Sequence, residues 1–315
     1  MPQVNGTGED GCLASCARTS PLLGLCSPAK LALYSQVYSE IFQRERPVCL
    51  LYKKSADAGR CRSWALSCAF LCAFLCALLR PGIIKADTLT VAVASNFAET
   101  LQQLAAEFER NSSHQVRLVR GSSGRHFAQI INGAPFDLFL SADAERPRLL
   151  LEELQLPVER LHSYAMGKLV LWGTEFESAA LTQRALESGK FNTLAMANPR
   201  LAPYGQAALE SLQAMGIWNA LENQAGRVVR GENVAQAFQF VATGNAELGF
   251  VALSQVLSSG ERAYWLVPEQ YYQPIVQQLI VLRENDASLA LMRFLESDRA
   301  QEIIIHAGYG LSDID

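Results

Sequence analysis

The stretch at residues 89–97, LTVAVASNF, with the helical spacing that follows it, constrains this chain more than any other part of it. Val91 and Val93 with their apolar neighbours read as a strand buried on both faces, as in a parallel sheet. From Phe97 the period changes. Leu101, Leu104, Ala105 and Phe108 fall on one face of a helix, with Glu99, Gln102, Glu107 and Arg110 mostly elsewhere. A helix that opens at the carboxyl end of a parallel strand presents unpaired N–H groups and the positive end of a dipole, and so seats anions. Ser95 adds a hydroxyl there, with Asn96 beside it. A lone serine before a helix ordinarily caps it, so a ligand-binding role for Ser95 needs support from other turns.

The same unit recurs along the chain. Residues 115–120 read as a strand, and Ser122-Ser123-Gly124 opens a helix that stops near Asn132-Gly133. GSSGR lacks the second Gly of a hydrolase nucleophile elbow and the Lys and length of a phosphate-binding P-loop. Residues 136–140, FDLFL, give a third strand, with Ser141-Ala142-Asp143 capping a helix to Leu154 and Asp143 its simplest N-cap. After Pro157 the chain crosses residues 164–167 into LVLW. There the alternation restarts, with a helix at 178–187, a strand at 193–197 and the turn NPRLAPYG before a helix from Gln206. Residues 227–229 read as a short strand, Glu232-Asn233-Val234 as a turn and 234–241 as a further helix; LGFVAL and residues 264–267 are later strands. QPIVQQLIVL at 273–282 returns as a long strand, and two helices follow. Alternating strands and helices predict α/β layers, and two such lobes joined by crossing strands place a cleft between helix-opening turns.

Composition divides the chain near residue 87. All eight cysteines precede it, as do ten of the 27 basic and five of the 31 acidic residues. The remaining 229 residues keep 17 basic and 26 acidic side chains, a charge of −9 with no basic stripe, which argues against a nucleic-acid partner. Lys53, Lys54, Arg60 and Arg62 precede a 16-residue apolar run at 64–79, and Ala86 offers a small residue before Asp87. That order predicts a secretory signal, the run being short for a membrane span. Residues 1–63 then read as an upstream extension, disordered or from a mis-assigned start, and 64–86 as the signal's apolar core and cleavage site. A body without cysteine is held by its apolar cores alone.

Other chemistry is thin. His114, His126, His162 and His306 have no metal-ligand spacing and read as surface or structural residues. Arg125 and Arg200 flank candidate turns, where solvated arginines are the commoner case. Tyr264, Trp265, Tyr271 and Tyr272 read as packing.

Taken in order, Ala94-Ser95-Asn96, Gly121-Ser122-Ser123-Gly124, FDLFLSAD, NPRLAPYG and LGFVALSQ closely resemble the periplasmic molybdate-binding proteins of ABC importers, over about residues 87–310. The resemblance implies a type II periplasmic-binding-protein fold, with one α/β lobe from 87–167 and 275–315 and the other from 168–274. It places oxyanion contacts on Ser95, Asn96 and Ser123 from the first lobe, and on Tyr204 and the Val234 N–H from the second. Members of the family often carry a small residue at the Tyr204 position and a Tyr where this chain has Ala252; here the two are exchanged. The implied role is a monomeric, non-enzymatic carrier without a cofactor, which binds molybdate or tungstate and hands it to a membrane permease. Molybdenum would be held only as molybdate, through those same residues. The alternatives are another tetrahedral oxyanion, sulfate or phosphate, and a membrane-anchored oxyanion-sensing domain. Independently of the resemblance, several neutral helix-opening donors suffice to hold a buried dianion without a lysine or arginine counter-ion.

Overall fold

Strand β1 (Thr88–Ala94) runs through the middle of the first sheet of the computed structural model, which describes residues 88–311. The expected extension, signal and cleavage site lie outside the described residues. β1 pairs in parallel with β2 (Gln115–Gly121) on one side and β3 (Leu138–Leu140) on the other. Its side chains alternate between two cores, as the pleat demands. Leu89, Val91 and Val93 pack with Leu101, Leu104 and Phe108 of α1 (Ala98–Asn111), whereas Ala92 packs with Ile130 and Phe139. Burial on both faces is why this strand carries no polar residue between Val91 and Ala94.

The sheet is completed by β10 (Ile275–Val281), antiparallel to β3, and β4 (Leu161–Gly167), antiparallel to β10, in the order β2-β1-β3-β10-β4. The expected strand over 136–140 shortens to Leu138–Leu140, because Asp137 is held in other bonds. Its carboxylate accepts from the Thr90 N–H at 2.7 Å and pairs with Arg283 at 3.3 Å. Residues 164–167, read from sequence only as a crossing, belong to the full strand Leu161–Gly167.

A second sheet has the order β7-β6-β8-β5-β9, formed by β5 (Leu169–Trp172), β6 (Leu194–Ala197), β7 (Val228–Gly231), β8 (Leu248–Ala252) and β9 (Tyr264–Leu266). Its strands β7, β6 and β8 are parallel, β5 is antiparallel to β8, and β9 is antiparallel to β5. The two sheets thus follow one plan, and the chain passes between them twice, at Lys168 and after β9. The remaining helices in chain order are α2 (Ser123–Ile131), α3 (Glu145–Glu153), α4 (Ala179–Ser188), α5 (Pro203–Ala214), α6 (Trp218–Glu222), α7 (Val234–Ala242), α8 (Leu253–Ser258), α9 (Asp286–Leu295) and α10 (Asp298–His306). The helix expected from Gln206 begins at Pro203 instead. Proline at its first position loses nothing, since that N–H has no partner within a helix anyway. The short helices α6 and α8 had no periodic signal long enough to be read. Among the described residues no helix is long and apolar enough to cross a membrane.

Candidate functional site

Both sheets end their central parallel strands in the same way. Ala94 pairs with Gly121 at the end of β1/β2, and Ala197 with Gly231 at the end of β6/β7. One residue further, the Ser95 N–H donates to the Gly121 carbonyl at 2.8 Å and the Asn198 N–H to the Gly231 carbonyl at 2.7 Å. Four helix-opening turns therefore lie at the carboxyl ends of two parallel strand pairs. Bonds between the turns bring them together. The Gly124 N–H at the start of α2 donates to the Leu201 carbonyl at 2.9 Å, and Arg125 pairs with Glu232 at 3.0 Å.

Ser95 and Ser123 do not cap. Helix α1 has Phe97 at its N-cap without a side-chain bond, so Ser95 stands outside the helix and its hydroxyl has no bond among the described residues. Helix α2 is capped by Ser122, which accepts from the Arg125 N–H. Ser123 sits one position on, buried, and its oxygen accepts from the Ala142 N–H at 3.0 Å, leaving its proton unspent. In α7 the cap is Asn233, accepting from the Gln236 N–H at 3.1 Å; Val234 follows, buried, with a first-turn N–H that has no carbonyl in its own helix. Asp143 accepts from the Arg146 N–H at 2.9 Å and also pairs with the Arg146 side chain, so it fastens the start of α3 although Ala144 is the N-cap.

Beneath these turns lies a buried polar network. The Asn96 amide donates to Gln277 Oε1 at 2.9 Å and to the Tyr309 hydroxyl at 3.3 Å, so its side-chain hydrogens are committed and its backbone N–H is what it presents to the turn. Tyr309 donates its one proton towards the Asn96 carbonyl, 2.8 Å away, and Ser254 Oγ, 2.9 Å away; Ser254 also lies 3.2 Å from that carbonyl. Gln277, with no exposed surface, donates from Nε2 to the Tyr204 hydroxyl at 3.4 Å. Tyr204 is only 2% exposed. Its pKa is pushed well above the ordinary tyrosine value, first by burial and then by Tyr309, Tyr164 and Tyr272, with the Gln277 bond opposing. Tyr164 is raised by burial in the same way. Both remain protonated donors throughout the physiological range. A Cβ on Gly167 would stand 2.4 Å from the Tyr204 oxygen and 2.8 Å from Gln277 Nε2, so this position is glycine for want of space.

Ser123, Tyr204 and Val234 are buried in the first turns of their helices and Asn96 is buried in the turn before α1; of the five expected contacts, Ser95 and Asn96 line a groove of about 860 Å³, and Ser123, Tyr204 and Val234 do not. The groove runs between α1, α7, α8 and α10, and its wall also includes Arg120, Arg262 and Arg299 with Glu99 and Glu302. No lysine or arginine is among the described buried polar residues. Arg125 is held by Glu232 at the surface, and Arg200 is exposed. His126 is buried between the Val93 carbonyl and Gln129, with its pKa lowered chiefly by burial, which makes it a structural residue. Among the described residues no group of His, Cys, Asp and Glu is placed to hold a metal ion. Sequence reasoning missed Gln277, Tyr164, Ser254 and Tyr309. The one available signal was the Gln277-Gln278 pair inside the otherwise apolar β10.

Residues 89–310 match the family described as bacterial extracellular solute-binding protein. The chain is 41% identical over 233 residues to the molybdate-binding protein ModA of Azotobacter vinelandii, an alignment covering 72% of this chain and 91% of that protein. It is 39% identical over 231 residues to ModA of Rhodobacter capsulatus, covering 71% of this chain and 88% of that protein. Among solved structures, the periplasmic molybdate-binding protein of Azotobacter vinelandii superposes with a TM-score of 0.66 at 36% identity, covering 71% of this chain and all of that one.

Proposed function

The chain belongs to the bacterial extracellular solute-binding proteins, and from that premise we propose that it is the molybdate-binding component of an ABC importer. The observation that carries the reading is the set of unspent donors in helix-opening turns at the carboxyl ends of both sheets, with no buried cation among the described residues. A tetrahedral dianion offers only acceptors. The hydroxyls of Ser95, Ser123 and Tyr204 with the N–H groups of Asn96 and Val234 supply only donors, in a volume where charge-assisted hydrogen bonds are strong. Fixed dipoles of this kind stabilise the ligand without a counter-ion, so releasing it to a permease requires no separation of an ion pair.

Residues 87–167 with 275–315 form one lobe and 168–274 the other, and the two close over the ligand, tungstate being accepted like molybdate. The protein acts as a periplasmic monomer, exported by the segment at 64–86 and beginning near Asp87. It uses no cofactor. Catalysis is not assigned to it, because none of the four histidines or buried carboxylates stands in hydrogen-bond reach of the Ser95, Ser123 or Tyr204 hydroxyls.

A thermal-shift panel of molybdate, tungstate, sulfate and phosphate on the purified protein tests the assignment. Ligand at a hundredfold excess over Kd adds about 2.7 kcal/mol of stability, so molybdate and tungstate raise Tm by several degrees at concentrations where sulfate and phosphate do not. A shift with sulfate equal to that with molybdate assigns the site to another oxyanion.

A further inference from the structure

We propose that Gln277 is a positioning and specificity-determining residue, which fixes the Tyr204 hydroxyl as a donor-only contact to the bound oxyanion. The inference rests on the reading of Tyr204 as a ligand contact, and adds a residue that touches no ligand.

Gln277 lies in β10 where the pairing register with β4 shifts, between Gln277 and Gln278. Such a bulge re-aims a side chain that regular alternation would place elsewhere. In the structure the Gln277 amide is turned with its oxygen toward Asn96 and Tyr164. Asn96 Nδ2, a donor, lies 2.9 Å from Gln277 Oε1, and the Tyr164 hydroxyl donates to the same oxygen at 3.0 Å. Nε2 faces Tyr204. A phenol oxygen that accepts this bond keeps its own proton for something else, and no other described residue accepts it. Tyr204 thus presents a proton to the site. An oxyanion oxygen facing Tyr204 is accepted when it is fully ionised and opposed when it carries a proton of its own, since two donors would meet.

The other two partners of Gln277 have second bonds. Tyr164 lies 3.0 Å from the Ser141 carbonyl, and the Asn96 amide also reaches Tyr309. Tyr204 has no second partner among the described residues. Loss of the Gln277 amide therefore falls on Tyr204 more than on the rest of the network.

The test is a double-mutant cycle in molybdate affinity on the full chain, using Gln277→Met, Tyr204→Phe and the pair, with the Tm of each unliganded protein measured alongside. Tyr204→Phe alone is expected to weaken binding about tenfold or more. Gln277→Met alone is expected to lose most of that same factor. In the Gln277→Met background the further loss from Tyr204→Phe shrinks to about threefold or less, because the orienting bond is already gone. A purely structural role for Gln277 lowers Tm but leaves the Tyr204→Phe factor the same in both backgrounds, and that additivity overturns the proposal. Should Gln277→Met not fold, Gln277→Glu keeps the shape and supplies only acceptors, which draw the Tyr204 proton away from the ligand. Tyr204→Phe then costs nothing further in that background, and an undiminished factor overturns the proposal equally. Wild-type protein that binds no molybdate refutes the functional reading itself, whereas binding that Tyr204→Phe leaves intact refutes the Tyr204 contact. Either result is distinct from additivity, which removes Gln277 alone.

Discussion

The N–H of Gly124, in the first turn of α2 after β2 of the first sheet, donates to the carbonyl of Leu201, in the proline-bounded turn after β6 of the second, at 2.9 Å. It is one of several bonds between the two halves, together with Ser254 to the Asn96 carbonyl and Arg125 to Glu232. They differ in what they contribute. The Arg125–Glu232 pair is more than half exposed on both sides, and an exposed pair is worth about 0–1 kcal/mol. Arg125→Ala should leave molybdate affinity within about threefold of wild type. Ser254→Ala removes a buried link, worth roughly 0.5–1.5 kcal/mol, and should weaken binding by about three- to tenfold. Equal effects from the two would show that the buried network does not support the closed arrangement.

Ser95 and Ser123 should separate in a way that only the structure predicts. Each alanine substitution removes one hydroxyl donor to a dianion, roughly 1.5–3 kcal/mol of binding. The Ser95 hydroxyl has no other bond among the described residues, so Ser95→Ala should leave the unliganded Tm unchanged. Ser123 also accepts from the buried Ala142 N–H, so Ser123→Ala should lower unliganded stability as well, by about 1–3 kcal/mol. Denaturant unfolding beside ligand titration checks both; a stability loss in Ser95→Ala without an affinity loss would return Ser95 to a structural role.

Gly167→Ala should be more damaging than its size suggests. The new methyl meets the Tyr204 oxygen and the Gln277 amide, and forcing them apart should cost about 1–3 kcal/mol of stability while weakening molybdate binding through Tyr204. Full affinity in this variant would mean that Tyr204 can move without consequence.

The pH dependence of unliganded stability should fall away on both sides for different residues. Tyr204, Tyr164 and Tyr309 are raised by burial. The folded protein holds these protons where the unfolded chain has released them, so their contribution is complete below about pH 10 and is lost as pH rises beyond it. His126 is lowered, chiefly by burial. The unfolded chain takes up a proton there before the folded one does, so stability is complete above about pH 6.5 and declines as pH falls through the lowered value. His126→Gln should flatten the acid side of a Tm–pH profile and leave the alkaline side in place. An acid side that keeps its slope would place the proton uptake on another group.

Much of this was legible in the sequence because hydrophobic period carries it. The change from the Val91/Val93 spacing to the Leu101/Leu104/Phe108 spacing marks β1 and α1, and the same change recurs at Ser123 and Val234. What the period could not carry is the network below the turns. Gln277 is one polar residue in an apolar strand, and the meaning of its position depends on a register shift that only pairing with β4 creates. Tyr309 and Asn96 are 213 residues apart in sequence and bonded in space. Ser123 escaped the ordinary reading of a serine before a helix because Ser122 takes the cap, a one-residue distinction that propensity does not resolve.

Calorimetric titration of the purified protein with molybdate, and in parallel with sulfate, tests the central claim most directly. A cage of fixed donors that fits the larger dianion leaves donors buried and unpaired around the smaller one, at roughly 1–3 kcal/mol each. The account predicts saturable one-to-one binding of molybdate, with sulfate weaker by at least about a hundredfold. Equal affinity for the two anions, or no heat with molybdate, would contradict it.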